Sequence, residues 1–397
     1  MTPTRRPASK ATLCLGIVLL LVSPSRADDL APQLQSLMDG FRRDHGFPGA
    51  TVAIAFPGTR IVTAATGFAD VEARERMTPD SRMLAASVGK TFVAATVLAL
   101  EGDGMLSQGD PVCDRLGTRD WCARLPNHAT MTIGDLLRHA AGLPDHVHMP
   151  AFARELAARV AADGDALTPE QSIAFVLDKE PLFPAGTAWA YSDTGYLILG
   201  LVIEDVTGRP YYDVVGRRFL GPLGLAATTP SDRRELAGLA VGYTGAANPF
   251  SLPPRTMNSL GRLTWNPATE WTGGGLLSTS RDLARWGRAL FTGKAMTAPY
   301  LDRLLDSVPQ GKDRTDRRYG TGVAIHAATP YGPVYGHAGW IPGYVSSLRH
   351  YADFGITVAF QINSDVSMVG GHTDLVPELE AALAELALGA RNAPRRP

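Results

Sequence analysis

The stretch Ala85-Ala86-Ser87-Val88-Gly89-Lys90-Thr91-Phe92-Val93 places a hydroxyl and an amine at the head of an apolar run. The apolar spacing predicts a helix from Ser87 to Leu100, with Gly102 and Gly104 marking its end. Positions i and i+3 of a helix lie on one face, so we expect the Ser87 hydroxyl within hydrogen-bonding reach of the Lys90 amine. The apolar neighbours should desolvate the ammonium and lower the pKa of Lys90. The pattern therefore indicates a serine nucleophile that an amine helps to activate.

An S-x-x-K spacing also arises by chance in a chain of 397 residues. In that alternative, Ser87 is a helix N-cap residue. Lys90 nevertheless differs from the other four lysines, because those have polar, Gly, Pro or charged neighbours (Lys10, Lys179, Lys294 and Lys312). Support for a catalytic interpretation must come from further motifs.

Tyr191-Ser192-Asp193 forms a second group, directly before a helix predicted from Thr194 to Val206 and ended by Gly208. A tyrosine here can relay a proton between nucleophile and leaving group if a nearby ammonium holds the pKa of Tyr191 down. In the structural alternative, Tyr191 is a packed aromatic and Asp193 is a helix N-cap.

Tyr335-Gly336-His337-Ala338-Gly339-Trp340 forms a third group, in which glycines flank a histidine within a predicted strand. A glycine in a strand often marks the close approach of a ligand. A substrate along this edge would pair with the strand, and the backbone N–H of Trp340 would join that of Ser87 as an oxyanion hole. In the alternative, His337 is a structural residue.

Both ends of the chain predict sheet. Gly49 to Phe56 and Ile61 to Thr66 read as a hairpin, and Tyr344 to Tyr351 and Gly355 to Ile362 read as a second strand pair. Leu375 to Leu388 is predicted to be helical. We therefore expect an α+β fold: an antiparallel sheet built from both chain ends and flanked by helices, plus an all-helical region. Residues 28–397 should form a single domain, with a helical subregion at roughly 100–330 inserted between the sheet-forming ends.

Residues 1–27 read as a signal peptide, with Arg5-Arg6, an apolar run from Ala11 to Val22 and small residues at a cleavage site. We therefore expect a secreted or periplasmic protein without stable membrane insertion. Without this segment the chain has 34 basic and 39 acidic residues, a net charge of −5 that disfavours nucleic acid. Export to an oxidising compartment favours a disulfide between Cys113 and Cys122, the alternative being two buried free thiols.

The three motifs, in this order and spacing, resemble those of the penicillin-recognising serine hydrolases, of the class C β-lactamase and DD-peptidase type. Two further segments agree with the resemblance, Asp135 to Leu143 and Gly273 to Leu283. The resemblance implies that Ser87 is the nucleophile, Lys90 and Tyr191 the acid and base groups, and Asp193 a substrate-orienting residue. It also implies that His337 is a cation or donor and that Gly339 and Trp340 bind substrate. It implies a hydrolase without cofactor or metal.

The sequence departs from the family pattern at positions that bear on substrate charge. Asp193 replaces the usual Asn, His337 the usual Lys, and Ala338 a hydroxyl residue that helps to hold a substrate carboxylate. Some carboxypeptidases of the family place an Arg after a Tyr-Gly-x-Gly turn, but Ala324 follows Tyr319 to Val323 here. We therefore expect a preference for neutral or amine-bearing substrates.

Several functions remain open at this point. The main prediction is an exported serine hydrolase that acts through an acyl-enzyme on an amide or ester bond: a D-alanyl-D-alanine carboxypeptidase, a D-aminopeptidase or an esterase, with cell-wall peptide among the possible substrates. The alternatives are a true class C-like β-lactamase and a slowly acylating penicillin-binding or wall-binding module. A fourth alternative is a zinc hydrolase using His139, Asp145, His146 and His148. The sequence does not indicate an oligomeric state.

Overall fold

The computed structural model describes residues 30–245, 248–296, 299–311, 316–365 and 375–392. The signal peptide predicted over residues 1–27 lies outside the described residues. In the described part of the chain, no helix is both long and apolar enough to span a membrane.

The described residues begin with one helix and four strands, continue with a long run of helices, and end with strands and a last helix. The α-helices are α1 (Leu30–His45), α2 (Lys90–Gly102), α3 (Val112–Leu116), α4 (Ile133–Leu137), α5 (Pro150–Ala161), α6 (Pro169–Ile173), α7 (Asp193–Thr207), α8 (Tyr211–Val215), α9 (Ser280–Phe291), α10 (Tyr300–Leu305) and α11 (Leu375–Asn392). The strands are β1 (Gly49–Ala55), β2 (Ile61–Asp70), β3 (Glu75–Arg76), β4 (Met83–Leu84), β5 (Thr229–Pro230), β6 (Leu276–Ser278), β7 (Val308–Pro309), β8 (Arg317–Tyr319), β9 (Ala324–His326), β10 (Val334–Ile341), β11 (Tyr344–Tyr351) and β12 (Ile356–Ile362).

One large antiparallel sheet joins the two ends of the chain. Its strand order is β3-β2-β1-β12-β11-β10-β9-β8-β7. The N-terminal β1 pairs with the C-terminal β12, so that Val52 lies opposite Phe360 and Ile54 opposite Val358. The predicted α+β fold and the contribution of both chain ends to one sheet are confirmed. The predicted strands lie within one residue of their expected bounds, except that β2 runs four residues further, to Asp70.

Alternate residues of the central strands pack on opposite faces of this sheet. On one face, Val52, Ile54 and Phe360 pack with Leu34 of α1 and Leu379 of α11. On the other face, Ala53 and Ala359 belong to the core that includes α2, α7 and α9. Side chains of successive strand residues point to opposite faces, so a strand packed on both faces is buried along its whole length. This explains why all of β1 and all of β12 are buried.

We call the face of the sheet that carries Ala53 and Ala359 its inner face. The core on this face joins the helical region to the sheet. Phe92 of α2 stacks on Trp286 of α9 with ring centroids 3.9 Å apart. The Trp286 indole N–H donates to the Thr91 hydroxyl at 2.8 Å. Both aromatic side chains are fully buried, so they fix α2 against α9 and, through α9, against the sheet.

The helical subregion is shorter than predicted. Strands β7, β8 and β9 lie between residues 308 and 326 and continue the large sheet beyond β10. Each has only two or three residues, which is too short for its hydrophobic alternation to be visible in the sequence. A small separate sheet, in the order β4-β6-β5, also takes two of its strands, β5 and β6, from the predicted helical subregion.

Cys113 and Cys122 form the predicted disulfide, with their Cα atoms 5.9 Å apart. The bridge joins α3 to a short turn at Cys122–Arg124. A closed loop of this length stabilises the fold by about 2 to 3 kcal/mol in the chain-entropy model.

Candidate active site

Ser87 lies in a tight turn that precedes α2. Residues Ala86–Gly89 form a 3-10 turn, and Lys90 begins the α-helix. Ala86 has φ of +48°, a conformation that costs a non-glycine residue free energy and that concentrates at functional sites. Ser87 is neither the N-cap of the turn nor the N-cap of α2, which are Ala85 and Gly89. The N-cap alternative for Ser87 is therefore wrong.

The sheet holds this turn in place. The Ser346 hydroxyl of β11 donates to the Ala85 carbonyl at 2.6 Å, and the Gln361 amide of β12 donates to the Met83 carbonyl at 3.1 Å. A β-carbon on Gly339 of β10 would lie 2.6 Å from the Ala85 carbonyl oxygen. The glycine at this position thus admits the backbone that carries Ser87, a contact that the sequence did not predict.

Lys90 is fully buried, and its ammonium has three acceptors. Nζ lies 3.1 Å from the Ser87 Oγ. It also donates to the carboxylate of Asp193 and to the carbonyl of Gly273. Burial is the largest single effect and lowers the pKa of Lys90. The charges of Asp193, Tyr191 and Glu270 and the hydrogen bond to Asp193 together raise it more, so the pKa lies above its usual range. The expectation of a lowered pKa was wrong because the carboxylate at 193 replaces a neutral amide.

Gly273 and Gly274 connect the Lys90 site to the segment before β6. A β-carbon on Gly89 would lie 2.8 Å from Gly274, and one on Gly274 would lie 2.2 Å from the Ala86 carbonyl oxygen. The two backbones touch directly, and this contact brings the Gly273 carbonyl to Lys90. The sequence singled out the Gly273 to Leu283 segment only as a family feature. Its row of glycines was the available signal for a close backbone approach.

Tyr191 stands over the Lys90 ammonium, with Nζ 5.0 Å from the centre of the phenol ring. The Tyr191 hydroxyl is buried beside Ser87 and Lys90, but it makes no hydrogen bond of good geometry with the described residues. Burial raises the pKa of Tyr191 more than the Lys90 charge lowers it. The phenol is thus neutral in the resting site, contrary to the lowered pKa that a proton relay led us to expect.

His139 supports Tyr191 from behind, with ring centroids 4.1 Å apart. Its Nδ1 accepts from the Ser192 backbone N–H at 3.2 Å. Burial and the Lys90 charge lower the pKa of His139 well below its ordinary value. The imidazole ring of His139 is therefore neutral, and it positions Tyr191 by packing against the phenol ring.

His337 of β10 is also buried and neutral. Burial and the Lys90 charge lower the pKa of His337 to about 3. Nε2 lies 2.8 Å from the Tyr319 hydroxyl, and Nδ1 faces the Ala338 carbonyl. The lowered pKa keeps the ring neutral, so of the two predicted roles, cation or donor, it disfavours the cation.

Three carboxyl groups surround Lys90, of which the sequence assigned only Asp193 to the serine site. Asp193 is the first residue of α7 and pairs with Lys90, so it is not an N-cap. Burial and the charge of Asp193 raise the pKa of Asp145 to about 8 and that of Glu270 to about 7. No sequence motif pointed to Glu270, which precedes the Trp271 to Gly275 segment.

Ser87 and Asp193 line two adjoining cavities. The larger, about 710 Å³, is also lined by Tyr191, His337, Gly339 and Trp340. Every catalytic or substrate-binding residue predicted from the sequence therefore lines this cavity, except Lys90, which contacts Ser87. The smaller, about 60 Å³, is lined by Glu270 and by aromatic rings. The structure therefore brings the three sequence motifs together at the junction of the sheet and the helical region.

The residues of the zinc alternative have other partners. His146 Nδ1 lies 2.9 Å from the Thr194 hydroxyl, and His148 is exposed. Within the described ranges, no group of three or more His, Cys, Asp or Glu is arranged to hold a metal ion.

The sequence over residues 34–383 matches the family model described as Beta-lactamase. The chain belongs to the beta-lactamase family. It is therefore a serine hydrolase of the β-lactamase and DD-peptidase superfamily, as the three motifs predicted.

Several curated relatives resemble this beta-lactamase family member over most of its length. Penicillin-binding protein 4* of Bacillus subtilis is 26% identical over 340 residues, which cover 84% of this chain and 71% of the relative. A D-aminopeptidase of Brucella anthropi is 26% identical over 365 residues, which cover 90% of this chain. The match spans 62% of that enzyme's own length.

Two solved structures resemble the family member over almost their full length. A D-stereospecific amidohydrolase from Streptomyces has a TM-score of 0.74 at 29% identity, with 88% of this chain and 98% of the other covered. A D-amino acid amidase from Ochrobactrum anthropi SV3, complexed with D-phenylalanine, has a TM-score of 0.73 at 25% identity. This match covers 91% of this chain and 99% of the amidase.

Proposed function

We propose that this protein hydrolyses small neutral or amine-bearing amides through an acyl-enzyme on Ser87. The observation that carries the proposal is the buried Lys90 ammonium 3.1 Å from the Ser87 Oγ, beside a cavity large enough for a small peptide or amide. Relatives named as D-aminopeptidase, D-stereospecific amidohydrolase and D-amino acid amidase support amide chemistry.

In the proposed reaction the Ser87 Oγ attacks the amide carbonyl carbon and gives its proton to Lys90, and the C–N bond breaks as the leaving amine takes that proton from Lys90. Water then cleaves the acyl–Ser87 ester and restores the hydroxyl. Lys90 accepts the Ser87 proton only after it has lost one of its own. The reactive state therefore has one proton fewer on the Lys90 and Asp193 pair than the resting state.

The lining of the site supports the preference against a free substrate carboxylate. Ala338 lacks a hydroxyl, and His337 is neutral with both nitrogens occupied. Arg349, on the larger cavity, is ion-paired with Glu380 at 3.0 Å. Arg317 also lines this cavity, and it is the residue through which an anionic substrate would gain affinity.

The proposed location is the periplasm or the exterior of the cell, reached through cleavage of the signal peptide at residues 1–27. The apolar run from Ala11 to Val22 supports export. The Cys113–Cys122 disulfide agrees with an oxidising compartment.

A substrate panel tests the proposed function. One D-peptide is compared as free acid and as C-terminal amide, alongside D- and L-amino acid amides, a simple ester and a chromogenic β-lactam. We expect the amide forms to be preferred by about tenfold or more in kcat/KM, the value of one charge-assisted hydrogen bond.

The Ser87→Ala variant is the control for the nucleophile. It should lose both turnover and labelling by a serine-reactive phosphonate, detected by intact mass. Labelling retained in Ser87→Ala would remove the assigned nucleophile. A tenfold preference for the free acid, lost in Arg317→Ala, would instead support a carboxypeptidase.

A further inference from the structure

The smaller cavity beside Ser87 brings two carboxyl residues and four aromatic rings together around a small volume. Its volume is about 60 Å³. Two carboxyl residues, Asp193 and Glu270, lie on its wall, and the aromatic wall consists of Phe152, Phe250, Trp265 and Trp340. Acidic groups and aromatic faces on one cavity favour a cationic ligand, because both attract positive charge.

The two carboxylates differ in what they already bind. Asp193 is ion-paired with the Lys90 ammonium, so its charge is compensated within the protein. Glu270 has neither a hydrogen bond nor an ion pair through its carboxylate with the described residues, although it lies close to Asp193 and Lys90. Of the two carboxylates on the wall of this cavity, Glu270 is thus the unpaired one, and the repulsion of anions predicted for Asp193 applies to Glu270 instead.

An unpaired carboxylate at a partly buried site is costly to ionise without a partner. A bound ammonium would supply that partner and would favour the ionised form. Burial and Asp193 raise the pKa of Glu270 to about 7, so the group changes charge easily at neutral pH.

The dimensions limit what the cavity accepts. A water molecule occupies about 30 Å³ of the liquid, and a dry cavity that binds benzene measures about 150 Å³. A cavity of about 60 Å³ therefore suits an ammonium with a methyl-sized neighbour and excludes a phenyl ring. Since Ser87 lines the same cavity, that ammonium lies close to the scissile carbonyl, as in an α-amino acid amide.

We propose that Glu270 binds the α-ammonium of the substrate in this cavity and so makes the enzyme selective for amides of small α-amino acids. The inference rests on the proposed acyl-enzyme function, and it assigns Glu270 as the residue that sets specificity. It does not require Glu270 to take part in the chemistry at Ser87.

The test compares two substrates that differ only in the ammonium, D-alanine p-nitroanilide and propionic acid p-nitroanilide, in the wild type and in Glu270→Gln. For the D-alanine substrate, kcat/KM should fall by about tenfold to a hundredfold in Glu270→Gln. For the propionyl substrate, which reports any effect of the substitution on Lys90, kcat/KM should fall at least about tenfold less than for the D-alanine substrate. Glu180→Gln, at an exposed glutamate away from the site, is the matched control and should change neither.

A second measurement does not depend on turnover. D-alaninamide and propionamide are compared for their ability to protect Ser87 from a fluorophosphonate, followed by intact mass. D-alaninamide should protect the wild type at concentrations at least about tenfold lower than propionamide, and this advantage should disappear in Glu270→Gln. The comparison of the two amides within the wild type holds even if the variant folds poorly.

The outcomes separate this inference from the proposed function. Equal losses for both substrates, no loss, or equal protection by both amides would overturn the role of Glu270 while leaving amide hydrolysis intact. If the phosphonate does not label Ser87, the proposed function fails, and the role of Glu270 fails with it.

Discussion

Two residues, Lys90 and Asp193, form the ion pair that sets the charge of the reaction centre. The ammonium donates to Ser87, Asp193 and the Gly273 carbonyl, so all its protons are used. A lysine in this state stabilises negative charge at Ser87 but accepts no proton. The pH at which the pair loses a proton should therefore govern the rate.

Asp193→Asn tests this dependence. The carboxylate raises the pKa of Lys90, so replacing it with a neutral amide lowers that pKa and makes the neutral amine available at lower pH. We expect the ascending limb of the pH profile of kcat/KM, measured with a substrate that has no ammonium, to move to lower pH by at least about one unit.

Glu270→Gln is the control for this profile, because the Glu270 charge raises the pKa of Lys90 less than Asp193 does. The limb should move less in that variant. An ascending limb that stays in place in Asp193→Asn would show that Lys90 deprotonation does not limit the reaction.

The close contact between the start of α2 and the Gly273 to Gly275 segment sets the geometry of the site. Gly89 and Gly274 allow two backbones to meet where any β-carbon would overlap them. The contact determines where the Gly273 carbonyl lies relative to Lys90, and where the turn carrying Ser87 lies relative to β10.

Gly274→Ala should displace these backbones, because the added β-carbon would lie 2.2 Å from the Ala86 carbonyl oxygen. We expect kcat/KM to fall by at least about tenfold and the free energy of unfolding to fall by about 1 to 3 kcal/mol, as for overpacking. Gly102→Ala is the matched control, since it lies on α2 and a β-carbon there would meet no atom within 4 Å. Unchanged turnover in Gly274→Ala would mean that the contact is not needed for catalysis.

The pairing of β1 with β12 organises the whole molecule. β1 and β12 are the first and last strands along the chain, and they are hydrogen-bonded neighbours in the large sheet. The helical region is inserted between them in the sequence. The core on the inner face of the sheet also includes residues of α2, α7 and α9. Neither the sheet nor the helical region buries its apolar surface without the other.

We therefore expect one cooperative thermal unfolding transition, as measured by calorimetry on residues 28–397. A variant ending at residue 330 lacks β10, β11 and β12 and should show no cooperative transition. Two well-separated transitions in the longer protein would contradict the single domain predicted from sequence.

The sequence by itself determined the features that depend on neighbours along the chain. Helical spacing brought Lys90 one turn from Ser87, and Gly208 ended α7 as predicted, with φ of +60°. The β-branched runs at both ends located β1, β11 and β12 to within a residue. These patterns are local, because side-chain periodicity follows directly from backbone geometry.

Only the tertiary structure decided the electrostatics of the site. Asp193 lies 103 positions from Lys90 and the Gly273 carbonyl lies 183 positions from it, and no periodic pattern links such distant groups. The same applies to Glu270, which reaches the small cavity without belonging to any motif. A pKa depends on every charge and on burial in three dimensions, so the raised pKa of Lys90 and the neutral His337 became visible only once the distant segments were packed together.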